Sequence, residues 1–225
     1  MSASATALPI PSSARAQRAA IAVAPVLDAM FAAAGVKRNA AILVRIFKHE
    51  RTLELWADAG TRHVLLQRYP ICHFSGALGP KLREGDGQAP EGFYAVRPGQ
   101  LNPNSRFHLA FNLGYPNAFD RAHARTGDFL MVHGNCVSIG CYAMGDAAIE
   151  EIYSVVAAAL AAGQTAVPVQ VFPFHFSQDW RSAHAGSDWL EFWAQLEAGY
   201  RAFEQTGKPP RIRVRQGRYE VTAVE

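Results

Sequence analysis

Ten of the thirty residues from Ser75 to Asn104 are glycine or proline: Gly76, Gly79, Pro80, Gly85, Gly87, Pro90, Gly92, Pro98, Gly99 and Pro103. Glycine loses the most backbone freedom on entering a helix, and proline lacks the amide that helices and central strands need. This stretch therefore predicts a long loop and excludes a helical bundle. Long loops in compact domains commonly carry function.

The flanking sequence supplies regular structure. From Ser13 to Ala34 the apolar residues Val23, Leu27, Met30, Phe31 and Ala34 fall at helical spacing, with Pro25 expected to kink or split the helix and Gly35 to end it. Residues 41–47, 52–56 and 62–71 read as strands of an antiparallel meander, and strands resume at 106–112 and 128–133. Residues 146–162 predict a helix with Asp146 as N-cap and Gly163 past its end, followed by a buried strand over 167–172 opening near Pro168. A second long helix is expected over 187–205, capped by Ser187 and stopped by Gly207, and residues 211–215 and 219–224 pair as a hairpin around Gln216-Gly217. Residues 1–12 read as a loose lead-in. The whole is a single α+β domain.

Composition narrows the class. With 225 residues, 49% hydrophobic and 18% charged, the chain can bury its own core and is not disordered. Its net charge of +3 comes from scattered lysines and arginines, which does not call for a nucleic-acid partner. No continuous apolar run reaches the roughly 18 residues of a membrane span, and Met1–Ala5 lack the basic and apolar regions of a secretory signal. The reading is no transmembrane segment, and either a cytosolic protein or one whose signal has been removed. Oligomeric state is not set by the sequence.

Chemistry concentrates between Met131 and Asp146. A strand delivers His133 at its end, and Cys141 stands eight residues later just ahead of a helix, with Gly134 and Gly140 between them. A loop doubling back at its glycines would bring imidazole and thiol together. An adjacent base and a helix N-terminus both activate a cysteine nucleophile, and the amides of Gly140 and Cys141 would receive an oxyanion. Three alternatives stand beside this one: Cys141 as a small buried hydrophobe with His133 as a satisfied loop histidine, a zinc site from His133, Cys136 and Cys141 with His123, and a Cys136–Cys141 disulfide that would silence the thiol. With three cysteines, at least one remains unpaired within the chain. Ser138 either donates to a reaction intermediate or ties the loop.

His133-Gly134 followed by Ser138-Ile139-Gly140-Cys141 and Met144 resembles the signature of the L,D-transpeptidases, the YkuD-type cysteine enzymes of peptidoglycan metabolism. Ala89-Pro90-Glu91-Gly92-Phe93-Tyr94 is similar to another element of the same domain. The resemblance is greatest to the YafK-like branch, through residues 69–72, 79–82, 115–120 and 133–144. It implies a β-rich, sandwich-like catalytic core over residues 40–175, preceded by the lead-in and N-terminal helix (1–39). A helix-and-hairpin extension (176–225) would pack on the same domain. Cys141 would form a thioester with a diaminopimelate-containing stem peptide, and His133 would act as base and acid, oriented by the Gly134 carbonyl.

No metal or cofactor is needed for this chemistry. Tyr115 and Asn117 would contact substrate, with Arg106, Arg125 or Lys81 as cations for its anionic groups. Ile139 and Ala143 replace the family's usual histidine and arginine, and the His–Cys spacing is short, as suits the YafK-like branch. The expected outcome is mainly hydrolysis, releasing wall-linked lipoprotein or peptide. The competitors are a true transpeptidase that cross-links or attaches protein, and a silent peptidoglycan-binding module. This reading requires export to the periplasm.

Overall fold

Where apolar residues recur every three or four positions the chain is helical, and where β-branched and aromatic residues alternate or run together it is extended. The computed structural model describes residues 9–224, so most of the expected lead-in, residues 1–8, lies outside the described residues. In chain order the elements are α1 (Ala14–Ala33), β1 (Ile42–Phe47), β2 (Thr52–Asp58), β3 (His63–Pro70), β4 (Gly92–Val96), β5 (Leu101–Asn102), β6 (Ala110–Asn112), α2 (Ala118–Ala122), β7 (Met131–His133) and β8 (Tyr142–Ala143). They continue as α3 (Asp146–Ala161), β9 (Val167–Phe172), α4 (Trp180–Ala183), α5 (Leu190–Thr206), β10 (Arg211–Arg215) and β11 (Arg218–Thr222). The architecture is α+β with two principal sheets.

The larger sheet has the order β3-β2-β1-β9-β4. β1, β2 and β3 form the antiparallel meander, β9 lies parallel to β1, and β4 closes the edge antiparallel to β9. β1 is buried along its whole length because the sheet is covered on both faces. One core joins Val44, Ile46 and Leu55 to Val132 and Tyr142 of the second sheet and to α1 and α3. The other is an aromatic layer in which Phe47, Phe93 and Phe172 meet Trp193, Leu196 and Tyr200 of α5 and Tyr219 of β11. The smaller sheet runs β5-β6-β7-β8, with β7 and β8 parallel.

Several boundaries differ from the sequence reading. α1 passes through Pro25 as one helix, with Ala16, Ala19, Val23, Leu27 and Phe31 forming its buried face. At 20 residues it is long and apolar enough to cross a membrane by length and composition, which corrects the expectation drawn from continuous runs alone. Its alanines raise the average hydropathy although Arg15, Arg18 and Asp28 interrupt the run. A signal sequence and a core helix share these properties.

β4 lies inside the stretch expected to be loop, since Phe93-Tyr94-Ala95-Val96 pairs with β9 between its glycine and proline neighbours. Gly145 occupies the cap position of α3, and the Asp146 carboxylate instead accepts the Asn135 amide at 2.7 Å. α5 begins after Trp189, while Ser187 Oγ accepts the Trp189 amide.

The glycine-rich stretch is anchored by a buried ion pair, Lys48 Nζ to Glu91 Oε1 at 3.1 Å. Lys48 also donates to the carbonyls of Gly79 and Ala89, and Glu91 accepts the Gly79 amide and Trp193 Nε1. Burying both charges is tolerable because each is fully hydrogen-bonded. The loop so fixed lies behind the smaller sheet, where Tyr142 Oη donates to Pro90 O at 2.7 Å.

Candidate active site

β7 ends on His133 and β8 begins immediately after Cys141. Their parallel register aligns Val132 with Tyr142 and His133 with Ala143, which places Cys141 beside Met131. Its Sγ accepts the Met131 amide at 3.4 Å and lies 3.6 Å from Phe129 O. Residues two apart on a strand share a face, so His133 and Cys141 are diagonal neighbours across the β7–β8 pair.

The imidazole has one defined tautomer. His133 Nδ1 is 2.5 Å from Gly134 O. A carbonyl can only accept, so Nδ1 carries the proton and Nε2 presents its lone pair. Burial holds His133 below its ordinary value of 6.5, the Gly134 carbonyl opposing it. Burial likewise pushes the Cys141 thiol up, against smaller opposite effects from the Met131 amide and the Lys81 charge. At neutral pH the resting site therefore holds a neutral thiol and a neutral base.

The connecting loop is tightly specified. A Cβ on Gly134 would come within 2.6 Å of Asp146 Oδ1 and 2.8 Å of Phe107 O. Gly140 has φ +140°, and a Cβ there would stand 3.2 Å from Leu130 Cδ1. Ser138 Oγ donates to Cys141 O at 2.7 Å and accepts the Gly140 amide at 3.1 Å. The hydroxyl thus ties the loop. The expected oxyanion contact from Gly140 N–H is corrected, because that hydrogen points to Ser138.

Cys136 is disulfide-bonded to Cys72, and Cys141 is a free thiol. The alternative of a Cys136–Cys141 disulfide is therefore excluded, and topology gives the reason. The chain leaving β3 forms an antiparallel bridge from His73 to Ala143, which carries Cys72 alongside the loop holding Cys136. The zinc arrangement is not assembled either: Cys136 is committed to sulfur, and His123 Nε2 contacts Gly217 O at the C-terminal hairpin. Among the described residues no three metal-binding side chains converge.

The expected substrate contacts disperse. Arg125 is buried, pairing with Asp120 at 2.8 Å and stacking on Phe119 and Phe192, so its charge is already committed within the fold. Tyr115 Oη donates toward Lys81 O and Thr126 O, and Asn117 caps α2 while its Nδ2 donates to Phe93 O and Tyr219 Oη. These two residues line a cavity of about 650 Å³ beneath the C-terminal hairpin, away from Cys141 and His133. Lys81 is buried and held by Asp86 at 2.6 Å, and Arg106 is exposed in the turn before β6.

Two contacts were not legible in sequence: the Phe107 ring against His133, with centroids 4.8 Å apart, and the Phe129 carbonyl facing the thiol. Both arise from tertiary packing, and no local motif marks them.

No family model matches the chain. It is 50% identical over 181 residues, 80% of its length and 74% of the relative's, to YafK of Escherichia coli (strain K12), which carries the name of an L,D-transpeptidase. YafK of Escherichia coli O157:H7 matches to the same extent. Among solved structures, the helical cell shape determining protein Pgp2 (K307A mutant) of Campylobacter jejuni superposes with a TM-score of 0.50 at 20% identity. That match covers 78% of this chain and 64% of the other, and it bears on the fold.

Proposed function

The chain belongs to the L,D-transpeptidase family as a relative of YafK, and from that membership we propose that it is a Cys141/His133 enzyme acting on diaminopimelate-containing stem peptides, mainly as a hydrolase. The observation that carries this reading is the β7–β8 register, which sets the free thiol of Cys141 diagonally from His133, whose Nδ1 donates to Gly134 O at 2.5 Å and so leaves the Nε2 lone pair available.

Nε2 takes the Cys141 proton as sulfur attacks the amide carbonyl. The tetrahedral oxyanion is received by the Cys141 amide, and the amine leaves with the proton returned by His133. The product is a thioester. Water, deprotonated by the same Nε2, then attacks the thioester and frees the thiol. Because the resting pair is neutral, the thiolate forms only as substrate engages.

Ile139 and Ala143 stand where the family motif has histidine and arginine, and this departure supports water over an amine as acceptor. The leaving partner is a wall-linked lipoprotein or peptide. The Cys72–Cys136 disulfide supports a periplasmic location, since disulfides persist in oxidising compartments.

The test is mass spectrometry of muropeptides after sacculi are incubated with the protein or with Cys141→Ala. Loss of diaminopimelate-linked remnants with wild type alone is expected. New cross-links would instead establish the transferase, and equal loss with Cys141→Ala would refute the mechanism.

A further inference from the structure

The turn ahead of β6 packs directly on His133. The Phe107 ring lies against the imidazole, and Phe107 O and His108 Cβ fill the space that a side chain at Gly134 would need. Gly134 N donates to Leu109 O at 3.1 Å, and Ala110 pairs with His133. The turn is also conformationally demanding, since His108 has φ +67° without being glycine. Such backbone persists only where its surroundings over-determine it.

Those surroundings come from the first turn of α1, some ninety residues away. Ser13 Oγ donates to Pro103 O at 2.9 Å. Arg15 Nη1 donates to Ser105 O at 2.8 Å and His108 O at 2.7 Å, taking the carbonyls on either side of Phe107. His108 Nε2 is held from the other side by Glu150 of α3 at 2.7 Å.

We infer that Arg15 is a positioning residue for His133: by tying the turn at both ends of Phe107 it keeps that ring against the imidazole and keeps the base buried in its reactive orientation. The inference rests on the proposed role of His133 as base. It also gives α1 a task in the folded domain, although by length and composition alone that helix could serve elsewhere. Both bonds come from one nitrogen, so an ammonium at this position can reproduce them. A neutral side chain without donors cannot.

The experiment uses the full chain as wild type, Arg15→Ala, Arg15→Lys and Arg18→Ala, the last removing an exposed charge one turn along the same helix. The first readout is the titration of the His133 ring by NMR. The titratable neighbours on surrounding elements are Cys141, His73 across the Ala143 bridge, His108 with Glu150, and Asp146, and none is altered. In Arg15→Ala the ring should gain solvent and titrate closer to the ordinary value of about 6.5. Arg15→Lys and Arg18→Ala should follow wild type.

The second readout is turnover, with kcat about tenfold lower in Arg15→Ala, KM unchanged, and recovery in Arg15→Lys. A folded Arg15→Ala protein whose His133 titrates as in wild type would overturn the inference. Should Arg15→Ala fail to fold, Phe107→Ala, which leaves the clamp in place, must show the same rise in the His133 titration, and no rise there would equally overturn it. The NMR titration needs no turnover, so an inactive wild type would refute the proposed function and still leave this test readable.

Discussion

At the scale of single residues, Gly134 is the most constrained position in the site. A Cβ there would meet a carboxylate oxygen at 2.6 Å, a backbone carbonyl at 2.8 Å and His108 Cβ at 2.9 Å. Two of these are not the far ends of flexible chains, so the strand bearing His133 would have to shift. Gly134→Ala is expected to lower kcat about a hundredfold while the fold survives, checked by steady-state kinetics beside circular dichroism. Unchanged kcat would show that the loop relaxes without moving the base. The diagonal placement of Cys141 from His133 follows from the parallel β7–β8 register, which the sequence did not fix, since eight residues could also run extended over roughly 26–29 Å. The burial of Arg125 was not legible for a physical reason: in sequence a solvated arginine and one paired with a buried aspartate look alike, and only packing distinguishes them. The partner of Cys136 was not legible for a related reason, since Cys72 is 64 residues away.

At the scale of elements, the loop from residue 134 to 140 is held at three places. Ser138 ties it from within, α3 receives the Asn135 amide on Asp146, and the disulfide ties Cys136 to the segment leaving β3. A disulfide spanning 64 positions, as Cys72–Cys136 does, stabilises a fold by about 2–4 kcal/mol. The double variant Cys72→Ser/Cys136→Ser should therefore be less stable than wild type by about that amount, read from denaturant unfolding as a lower midpoint at unchanged m. An unchanged midpoint would mean that the tie is redundant. Helices, the meander and the terminal hairpin could be read from the sequence because each has a local period or a turn such as Gln216-Gly217. β4 could not, since a five-residue strand that opens on Gly92 and is followed closely by Pro98 offers too short a pattern to outweigh its punctuation. Its strand character comes from pairing with β9, which is remote in sequence.

For the whole molecule, the covering of sheet and site leaves several histidines poorly solvated. Burial holds His63, His133 and His175 below their ordinary value of 6.5. A depressed folded value means that the unfolded chain binds more protons below that pH, so stability is present above 6.5 and is lost as pH falls through the folded values. Denaturant midpoints measured from neutral pH down to about pH 5 should fall steadily, and midpoints that rise over this window would contradict the assignment of these rings as buried and neutral. The central claim, that Cys141 carries the acyl group, is tested most directly by intact-protein mass spectrometry of the enzyme quenched in acid during turnover of a stem peptide. The account predicts one adduct with the mass of the acyl portion, mapping to Cys141 and missing from Cys141→Ala. Turnover by that variant, or an adduct on any other residue, would contradict it.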